Sequence, residues 1–220
     1  MSVEYIDHMG SDLSVVNAAR VSFDKESEWD YEDGKQENCS LSEKDEKLIS
    51  YLATHNHWSP FAHATISLRI KAPIFVARQL VKHQVGLAWN EVSRRYVDSE
   101  PEFWFPKEWR GKPVNAKQGS DGVVDIKNKF VSPEEMIVIM SNYYNVLLQA
   151  GVAPEQARMV LPQNTMTEWI WTGSLYAFAR VCNLRLDNHA QAETREVAQK
   201  ISGIIKPLFP VSWSVLVTGN

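Results

Sequence analysis

The stretch HATISLRIKAPIFVARQLVKH, residues 63–83, contains the two local patterns that decide the fold class. Residues 63–72 alternate apolar and polar side chains, as a β-strand with one buried face does. Pro73 suits the first turn of a helix, because an N–H at that position has no partner within the helix, and a helix is predicted over residues 73–83. A strand that runs directly into a helix predicts a domain containing both element types.

Further helix and strand signals lie on both sides of this stretch. The strongest is at residues 133–150, where Ser132 and Glu135 form a start signal and Gly151 a stop. Pro207 and Pro210 are predicted to close the last helix. The other predicted helices are 11–20, 42–53, 174–185 and 190–205, and a Trp-rich, β-prone segment covers 165–173.

Several helices with separated strands favour the α+β class over a regular alternation of strands and helices around a parallel sheet. Residues 24–40 hold seven acidic and two basic residues without a period, which predicts an exposed, mobile loop. Turn residues throughout 106–130 predict an excursion between core elements. We therefore predict an α+β fold, a single domain over residues 1–220 with a mainly antiparallel or mixed sheet flanked by several helices.

The composition narrows the possible partners. The 220 residues carry a net charge of −4, which argues against a general nucleic-acid binder, so a bound anion should be small and locally recognised. Cys39 and Cys182 form neither a disulfide framework nor a thiolate zinc pattern, which fits a reducing, cytoplasmic setting. No apolar signal region opens the chain, and no run approaches the ~18 apolar residues of a membrane span. We expect no membrane partner.

The stretch VKHQVGLAWNEVSRRY, residues 81–96, crowds a His, an amide, a carboxylate, a Ser and two Arg into one segment, interpreted as a turn and helix. A core segment would be more apolar, and a solvated face would contain more Lys and Glu. The mixture therefore predicts a surface that holds a polar, anionic ligand.

Two other clusters could carry chemistry, HNHWSPFAH at 55–63 and NLRLDNHAQ at 183–191. Histidines and a carboxylate could bind a metal, but their spacing matches no zinc pattern and neighbouring arginines would repel a cation. We therefore predict no metal site.

Ser93 could be read as a hydrolase nucleophile with His83 or His189, but no Gly-x-Ser-x-Gly turn surrounds it. A Ser followed directly by Arg fits phosphate binding better, because the hydroxyl donates and the guanidinium adds charge. Arg158 and Arg185 are candidates for the same task. For Arg158 an ordinary surface salt bridge with Glu155 stays open.

Cys182 neighbours polar residues and could be a nucleophile. Its place in the apolar helical segment LYAFARVC favours a buried, unreactive thiol instead. The chain also lacks a Gly-rich dinucleotide fingerprint, so any nucleotide cofactor must be held in another way.

Six separated segments together resemble the flavin-dependent thymidylate synthases, in the same order and over nearly the whole chain. They are ARVSF (19–23), HNHWSPFAH (55–63), KAPIFVARQ (71–79), NEVSRRY (90–96), ARMVLP (157–162) and NLRLDNHAQ (183–191). The resemblance implies methylation of dUMP at carbon 5 without an enzyme cysteine nucleophile. It further implies FAD as cofactor, methylenetetrahydrofolate as one-carbon donor, NADPH as reductant, and a homotetramer with flavin sites shared between subunits.

The resemblance also implies roles for individual residues. Ser93, Arg94 and Arg95 would bind the 5′-phosphate, and Arg185 would lie at the uracil edge and favour charge on the pyrimidine. Arg185 and Ser93 are thus the implied catalytic residues. The implied dUMP ligands are Gln79, Ser93, Arg94, Arg95, Arg158 and Arg185. The implied flavin ligands are His57, Ser59, Lys82, His83, Gln84, Asn90, Glu91 and His189.

The sequence departs from the family pattern at the implied flavin site. The family signature is Arg-His-Arg, seven residues and Ser, whereas this chain has Lys82-His83-Gln84 and eight residues before Ser93. Arg94 stands where the family usually has Gly, and Ala62 where it often has Glu. Two alternatives therefore stay open, a flavin enzyme that adds another one-carbon group such as hydroxymethyl, and a non-catalytic nucleotide-binding relative.

Overall fold

The computed structural model describes residues 1–31, 39–114, 119–126 and 131–218. The parts of the predicted loop (24–40) and excursion (106–130) that fall on 32–38, 115–118 and 127–130 lie outside the described residues. The described strands are β1 (Ser2–Met9), β2 (Asp30–Tyr31), β3 (Cys39–Ser40), β4 (Thr65–Pro73), β5 (Leu87–Glu91), β6 (Arg110–Gly111), β7 (Asp121–Val123) and β8 (Met166–Ser174).

The described helices include those predicted over 11–20, 42–53, 73–83, 133–150, 174–185 and 190–205, whereas the described segment 81–96 contains no helix. The described helices are α1 (Asp12–Arg20), α2 (Glu43–Thr54), α3 (Ile74–Leu80), α4 (Pro133–Gln149), α5 (Pro154–Ala157), α6 (Leu175–Arg185), α7 (Ala192–Leu208) and α8 (Pro210–Leu216). Short 3₁₀ turns cover Val21–Phe23, Pro60–Ala62 and Arg158–Val160. The α+β class is confirmed.

The main sheet has four strands in the order β1-β4-β8-β5, and all its pairings are antiparallel. β4 and β8 pair along their full length, from Thr65 opposite Ser174 to Pro73 opposite Met166. Side chains opposite each other in this register point to the same face. Leu68 and its partner Trp171 are both fully buried, which places the core on this face of the sheet.

Aromatic rings fill the space between the sheet and its helices. Trp89 of β5 stacks on Trp169 with centroids 4.3 Å apart and meets Trp171 edge-on at 5.4 Å. Trp171 in turn contacts Phe178 of α6 at 5.4 Å. A single cluster of buried side chains includes residues from Val15 near the start of the chain to Val217 near its end. We therefore propose that residues 1–220 form a single domain.

Two strands of the main sheet were not predicted. β1 is an edge strand with mostly exposed side chains, so it shows no apolar alternation. β5 lies within residues 81–96, which were interpreted as a turn and helix, and this interpretation was wrong. Only Leu87 and Trp89 point inward from β5, too few to give a strand signal against its polar neighbours.

Two helix boundaries and one loop need correction. α3 ends at Leu80 and not at residue 83, and Pro73 caps it while ending β4. α7 continues past Pro207 to Leu208, because a proline in the last turn removes only one helical hydrogen bond. The 24–40 loop is not wholly irregular, since β2 pairs with β3. The predicted Ser132–Glu135 start of α4 is confirmed as a reciprocal capping box.

None of the helices in the described part of the chain is both long enough and apolar enough to cross a membrane.

Gly173 determines how closely β5 approaches β8. A Cβ there would lie 2.3 Å from the Leu87 side chain and 2.7 Å from the Gly86 carbonyl oxygen, and the latter belongs to the backbone. We expect Gly173→Ala to lower the free energy of unfolding by about 1–3 kcal/mol, as overpacking does. Urea denaturation measures this change.

Gly203 in α7 provides the matched control, because a Cβ there meets no atom of the described residues within 4 Å. Gly203→Ala should raise stability by up to ~1 kcal/mol, since Gly is a poor helix former. Equal effects of the two substitutions would contradict the close approach described for Gly173.

Candidate active site

The ends of α3 and α6 meet at a group formed by Gln79, His83 and Arg185. Arg185 Nε donates to His83 Nε2 over 3.0 Å, and Arg185 Nη2 donates to the Gln79 carbonyl oxygen over 3.4 Å. A cation beside the last carbonyls of a helix is favourable, because these carry the negative end of the helix dipole. The structure thus brings together three of the predicted site residues, and we call them the Arg185 group.

His83 is neutral in this arrangement. A ring nitrogen that accepts a hydrogen bond from a guanidinium carries no proton, since a guanidinium can only donate. Burial lowers the pKa of His83, and the charges of Arg185 and Arg180 lower it further. Burial also lowers the pKa of Arg185, which nonetheless stays charged at neutral pH. Within the described residues no carboxylate forms an ion pair with Arg185, so its positive charge is available to a ligand.

Arg94 and Arg158 form a second group at the wall of a cavity of about 350 Å³. Arg94 Nη1 donates to the Ser99 carbonyl oxygen over 2.8 Å, and Arg158 Nε donates to the Glu155 carbonyl oxygen over 3.2 Å. Among the described residues neither guanidinium forms an ion pair, so the suggested Arg158–Glu155 salt bridge is absent. Two arginines held by backbone carbonyls keep further N–H groups for a ligand such as a phosphate. The same cavity is also lined by four carboxylates, those of Glu91, Glu100, Glu102 and Glu168.

Ser93 and Arg95 are tied to each other. Arg95 Nε donates to Ser93 Oγ over 3.0 Å, and its guanidinium lies over the Tyr96 ring at 4.9 Å. Ser93 Oγ therefore keeps its own O–H to donate. No hydrogen bond or ion pair among the described residues joins these side chains, or those of Arg94 and Arg158, to the Arg185 group.

The predicted flavin ligands have the chemistry of a dinucleotide site. Lys82, Gln84 and Asn90 are exposed, and in the described parts of the chain their side chains form no hydrogen bond or ion pair. An unpaired ammonium suits a diphosphate, and free amides suit the polar edge of a flavin ring. The residues present therefore fit the cofactor.

The remaining predicted flavin ligands have protein contacts. Glu91 accepts from Trp89 Nε1 over 3.1 Å and from Thr167 over 2.6 Å. His189 is exposed and lies 2.9 Å from Asp187, whose pKa is lowered by hydrogen bonds from His189. His57 packs edge-on against Tyr51, and Ser59 precedes the 3₁₀ turn at Pro60–Ala62.

Several residues at the site were missed from the sequence. Arg180 lies near enough to affect His83, and Gln191, Glu193 and Thr194 connect to Gln79 through hydrogen bonds. Gln191 closes the NLRLDNHAQ segment, so its sequence position carried a signal. Arg110 contacts Glu193 from 83 positions away, and no local pattern predicts such a contact.

Cys182 is fully buried, and burial raises the pKa of its thiol to about 12. The predicted burial of Cys182 is confirmed, and the raised pKa of its thiol disfavours the reactive thiolate. Groups of three or more His, Cys, Asp or Glu that could hold a metal are not found in the described ranges.

Comparisons with known proteins agree on one family. The model of the family Thymidylate synthase complementing protein (Thy1) matches residues 4–211. The chain is 38% identical over 218 residues to a flavin-dependent thymidylate synthase of Thermosipho melanesiensis, covering 98% of this chain and 90% of the relative. It is 36% identical over 212 residues to a flavin-dependent thymidylate synthase of Thermus thermophilus, covering 96% of this chain and 74% of that relative.

A solved structure is similar along almost the whole chain. The crystal structure of a UMP/dUMP methylase, PolB from Streptomyces cacaoi, bound with 5-Br dUMP superimposes with a TM-score of 0.81 at 30% identity. The match covers 97% of this chain and 93% of PolB. A second PolB structure, bound with 5-Br UMP, matches with a TM-score of 0.76.

The neutral state of His83 predicts a specific pH dependence. The pKa of His83 is lowered from its ordinary value of 6.5. As the pH falls below 6.5, His83 is therefore protonated in the unfolded chain before it is protonated in the folded chain. The stability that neutral His83 contributes is fully present above pH 6.5, and it falls as the pH drops toward the pKa of His83 in the folded protein. His83→Gln, which can still accept from Arg185, should lack this loss.

Urea denaturation of both proteins from pH 7.5 to pH 5 measures the difference. The wild type should lose stability relative to His83→Gln as the pH falls. His55→Gln, which removes an exposed histidine outside the group, should keep the wild-type profile. Parallel curves for wild type and His83→Gln would contradict the neutral assignment.

Proposed function

The chain belongs to the flavin-dependent thymidylate synthase family, and from that membership we propose that it converts dUMP to dTMP by reductive methylation. Methylenetetrahydrofolate is the one-carbon donor and NADPH the reductant in this proposal. The observation that carries it is Arg185, whose guanidinium bonds a neutral imidazole and a backbone carbonyl and has no carboxylate partner among the described residues.

The arginines divide the recognition of dUMP between two ends of the nucleotide. Arg94 and Arg158, with free N–H groups at one cavity, bind the 5′-phosphate, and Ser93 and Arg95 add donors. Arg185 and Gln79 bind the uracil. A guanidinium at the uracil carbonyls stabilises negative charge on the ring, and charge on the ring makes carbon 5 more nucleophilic.

His83 supports Arg185 without competing with it. Its neutral ring accepts one guanidinium N–H and fixes the orientation of the plane, while the remaining N–H groups stay free for the substrate. A protonated His83 would repel Arg185 and lose this bond. The neutral imidazole therefore helps to place the charge where the uracil needs it.

FAD is held in this proposal by His57, Ser59, Lys82, His83, Gln84, Asn90, Glu91 and His189. When bound, the reduced flavin supplies the reducing equivalents and takes part in the one-carbon transfer. Lys82 and the other exposed donors bind its polar groups. The buried thiol of Cys182 supplies no nucleophile, which fits a reaction that depends on a cofactor.

The site is proposed to be completed by oligomerisation into a homotetramer. The Arg185 group and the Arg94–Arg158 group are not linked to each other in the described chain, although one nucleotide would need both. α4 supports the proposal, because Met136, Ile139, Tyr143 and Val146 are exposed along one face at the spacing of a helix–helix seam. We propose that each dUMP site takes the two groups from different subunits.

A second candidate substrate is UMP. The similar PolB structures are those of a UMP/dUMP methylase, and they contain 5-Br UMP as well as 5-Br dUMP. The alternative chemistry is transfer of a different one-carbon group, such as hydroxymethyl, because this chain has Lys82-His83-Gln84 in place of the family signature. A cytoplasmic location stays a prediction.

The test is a turnover assay with purified protein, methylenetetrahydrofolate, NADPH and either dUMP or UMP, followed by mass analysis of the nucleotide. The proposal predicts visible flavin absorbance and a product heavier than dUMP by one methylene unit. An added hydroxymethyl group would identify the variant chemistry. Flavin-free protein without turnover, after addition of FAD, would contradict the proposed function.

Arg185→Ala should lower turnover by a factor of ~10²–10³, the typical cost of losing one preorganised charge-stabilising donor. Arg185→Lys keeps the charge but not the planar fork, so it should retain more activity. Steady-state rates with circular dichroism as the folding control measure both. Near wild-type turnover in a folded Arg185→Ala protein would remove Arg185 from the reaction.

Cys182→Ala should keep turnover within about a factor of three of wild type, because a thiol with a raised pKa gives no thiolate at neutral pH. The same rate assay measures it, with flavin absorbance as the control for cofactor loading. A folded, flavin-loaded and inactive variant would point to a cysteine nucleophile.

A further inference from the structure

A continuous line of hydrogen bonds runs from the 106–130 excursion to Gln79. Arg110 Nη2 donates to Glu193 Oε1 over 2.5 Å, and Gln191 Nε2 donates to Glu193 Oε2 over 3.0 Å. Gln79 Nε2 donates to Gln191 Oε1, and Thr194 Oγ1 donates to Gln79 Oε1 over 3.2 Å. Both polar atoms of the Gln79 side chain, Nε2 and Oε1, therefore form hydrogen bonds with the protein.

Glu193 sets the direction of this line. An ionised carboxylate can only accept, so Gln191 must turn its NH₂ group toward Glu193 and its oxygen toward Gln79. Gln79 must then turn its NH₂ group toward Gln191 and its oxygen toward the Thr194 hydroxyl. One acceptor-only group thus fixes the orientation of two amides that could otherwise flip.

Glu193 is only 6% exposed and is kept ionised in that position. Burial would raise the pKa of Glu193, but hydrogen bonds from Arg110, from its own backbone and from Gln191 outweigh this effect and hold the pKa below its ordinary value. Arg110 also donates through Nε to Ser120 over 2.7 Å, which anchors the guanidinium in the excursion. The carboxylate is therefore a permanent acceptor.

We propose that Glu193 is a positioning residue that acts through Gln191 to hold the Gln79 amide in one orientation, with its second N–H free to donate to the bound nucleotide. The part concerning the nucleotide rests on the proposed function. The orientation of Gln79 itself rests only on the hydrogen bonds described above. The simpler alternative is that Glu193 merely ties the excursion to the first turn of α7.

Glu193→Gln tests the proposal with little change in shape. A carboxamide turns its single oxygen toward either Arg110 or Gln191, which face the two different oxygen positions of the carboxylate, so it cannot accept from both at once. When the oxygen faces Arg110, its NH₂ group meets the NH₂ group of Gln191, and relief of that clash reverses Gln191 and then Gln79. Glu196→Gln is the matched control, because Glu196 lies one turn later in α7 and pairs with Lys200 at 2.9 Å.

The experiment is a double-mutant cycle between Glu193→Gln and Gln79→Met, with dUMP affinity and melting temperature measured for all four proteins. Glu193→Gln should weaken dUMP binding about threefold to tenfold, the size of one hydrogen bond. In the Gln79→Met background the same substitution should change affinity by less than about twofold, since its effect passes through Gln79. Glu196→Gln should leave dUMP affinity unchanged.

Equal losses of affinity in both backgrounds, or no loss in either, would overturn the proposal and leave Glu193 with a structural role. Binding of dUMP by the wild type tests the proposed function, and the melting temperatures test the orientation of Gln79 independently of it. If the wild type binds no dUMP, the proposed function fails, and the orientation of Gln79 is decided by the melting temperatures alone. Non-additive shifts for these two residues, which do not touch, support it, and additive shifts overturn it.

Discussion

The antiparallel pairing of β4 with β8 is the constraint on which the rest of the structure depends. Each strand runs straight into a helix, β4 into α3 and β8 into α6. Because the strands are antiparallel and in full register, the two helices leave from opposite ends of the sheet. Both helices return over the buried face, so they run toward each other and their C-terminal ends meet.

The lengths of these elements fit this meeting. The 9 residues of β4 span about 30 Å. The 7 residues of α3 and the 11 of α6 span about 10 Å and about 16 Å. The combined length of the two helices is therefore close to the length of the strand. Arg185 at the end of α6 thus reaches Gln79 near the end of α3 and His83 just after it. The Gln79 carbonyl oxygen and the neutral imidazole of His83 then accept hydrogen bonds from the Arg185 guanidinium. No carboxylate among the described residues neutralises this guanidinium.

Much of the fold could be predicted because its signals are local. The alternation in β4, the capping box of α4 and the apolar face of α6 each occupy a few consecutive residues, and each is confirmed. β1 and β5 were missed because edge strands with few inward side chains lack that alternation. Pro207 was misjudged because the cost of a proline depends on its position within the last turn.

The candidate site likewise contains residues that local motifs predicted and contacts between distant residues that no local motif predicted. The motif residues carried their chemistry in the sequence, and their roles as dUMP and flavin ligands stay predictions. The pairing of Arg185 with His83 and of Arg110 with Glu193 spans 102 and 83 positions, so only the sheet register and the helix lengths bring these residues together. No local pattern could show which guanidinium lacks a counter-ion.

In the proposed oligomer, the Arg185 group of one subunit and the Arg94–Arg158 group of another complete one dUMP site. Arg185→Ala and Arg158→Ala should each lose most turnover, because each removes one half of the proposed site, and the decisive measurement is the turnover of the two variants mixed under conditions of subunit exchange. We expect the mixture to recover about a quarter of wild-type turnover, the share of intact sites from random pairing in a closed oligomer. No recovery, when tagged subunits show that exchange has occurred, would contradict it.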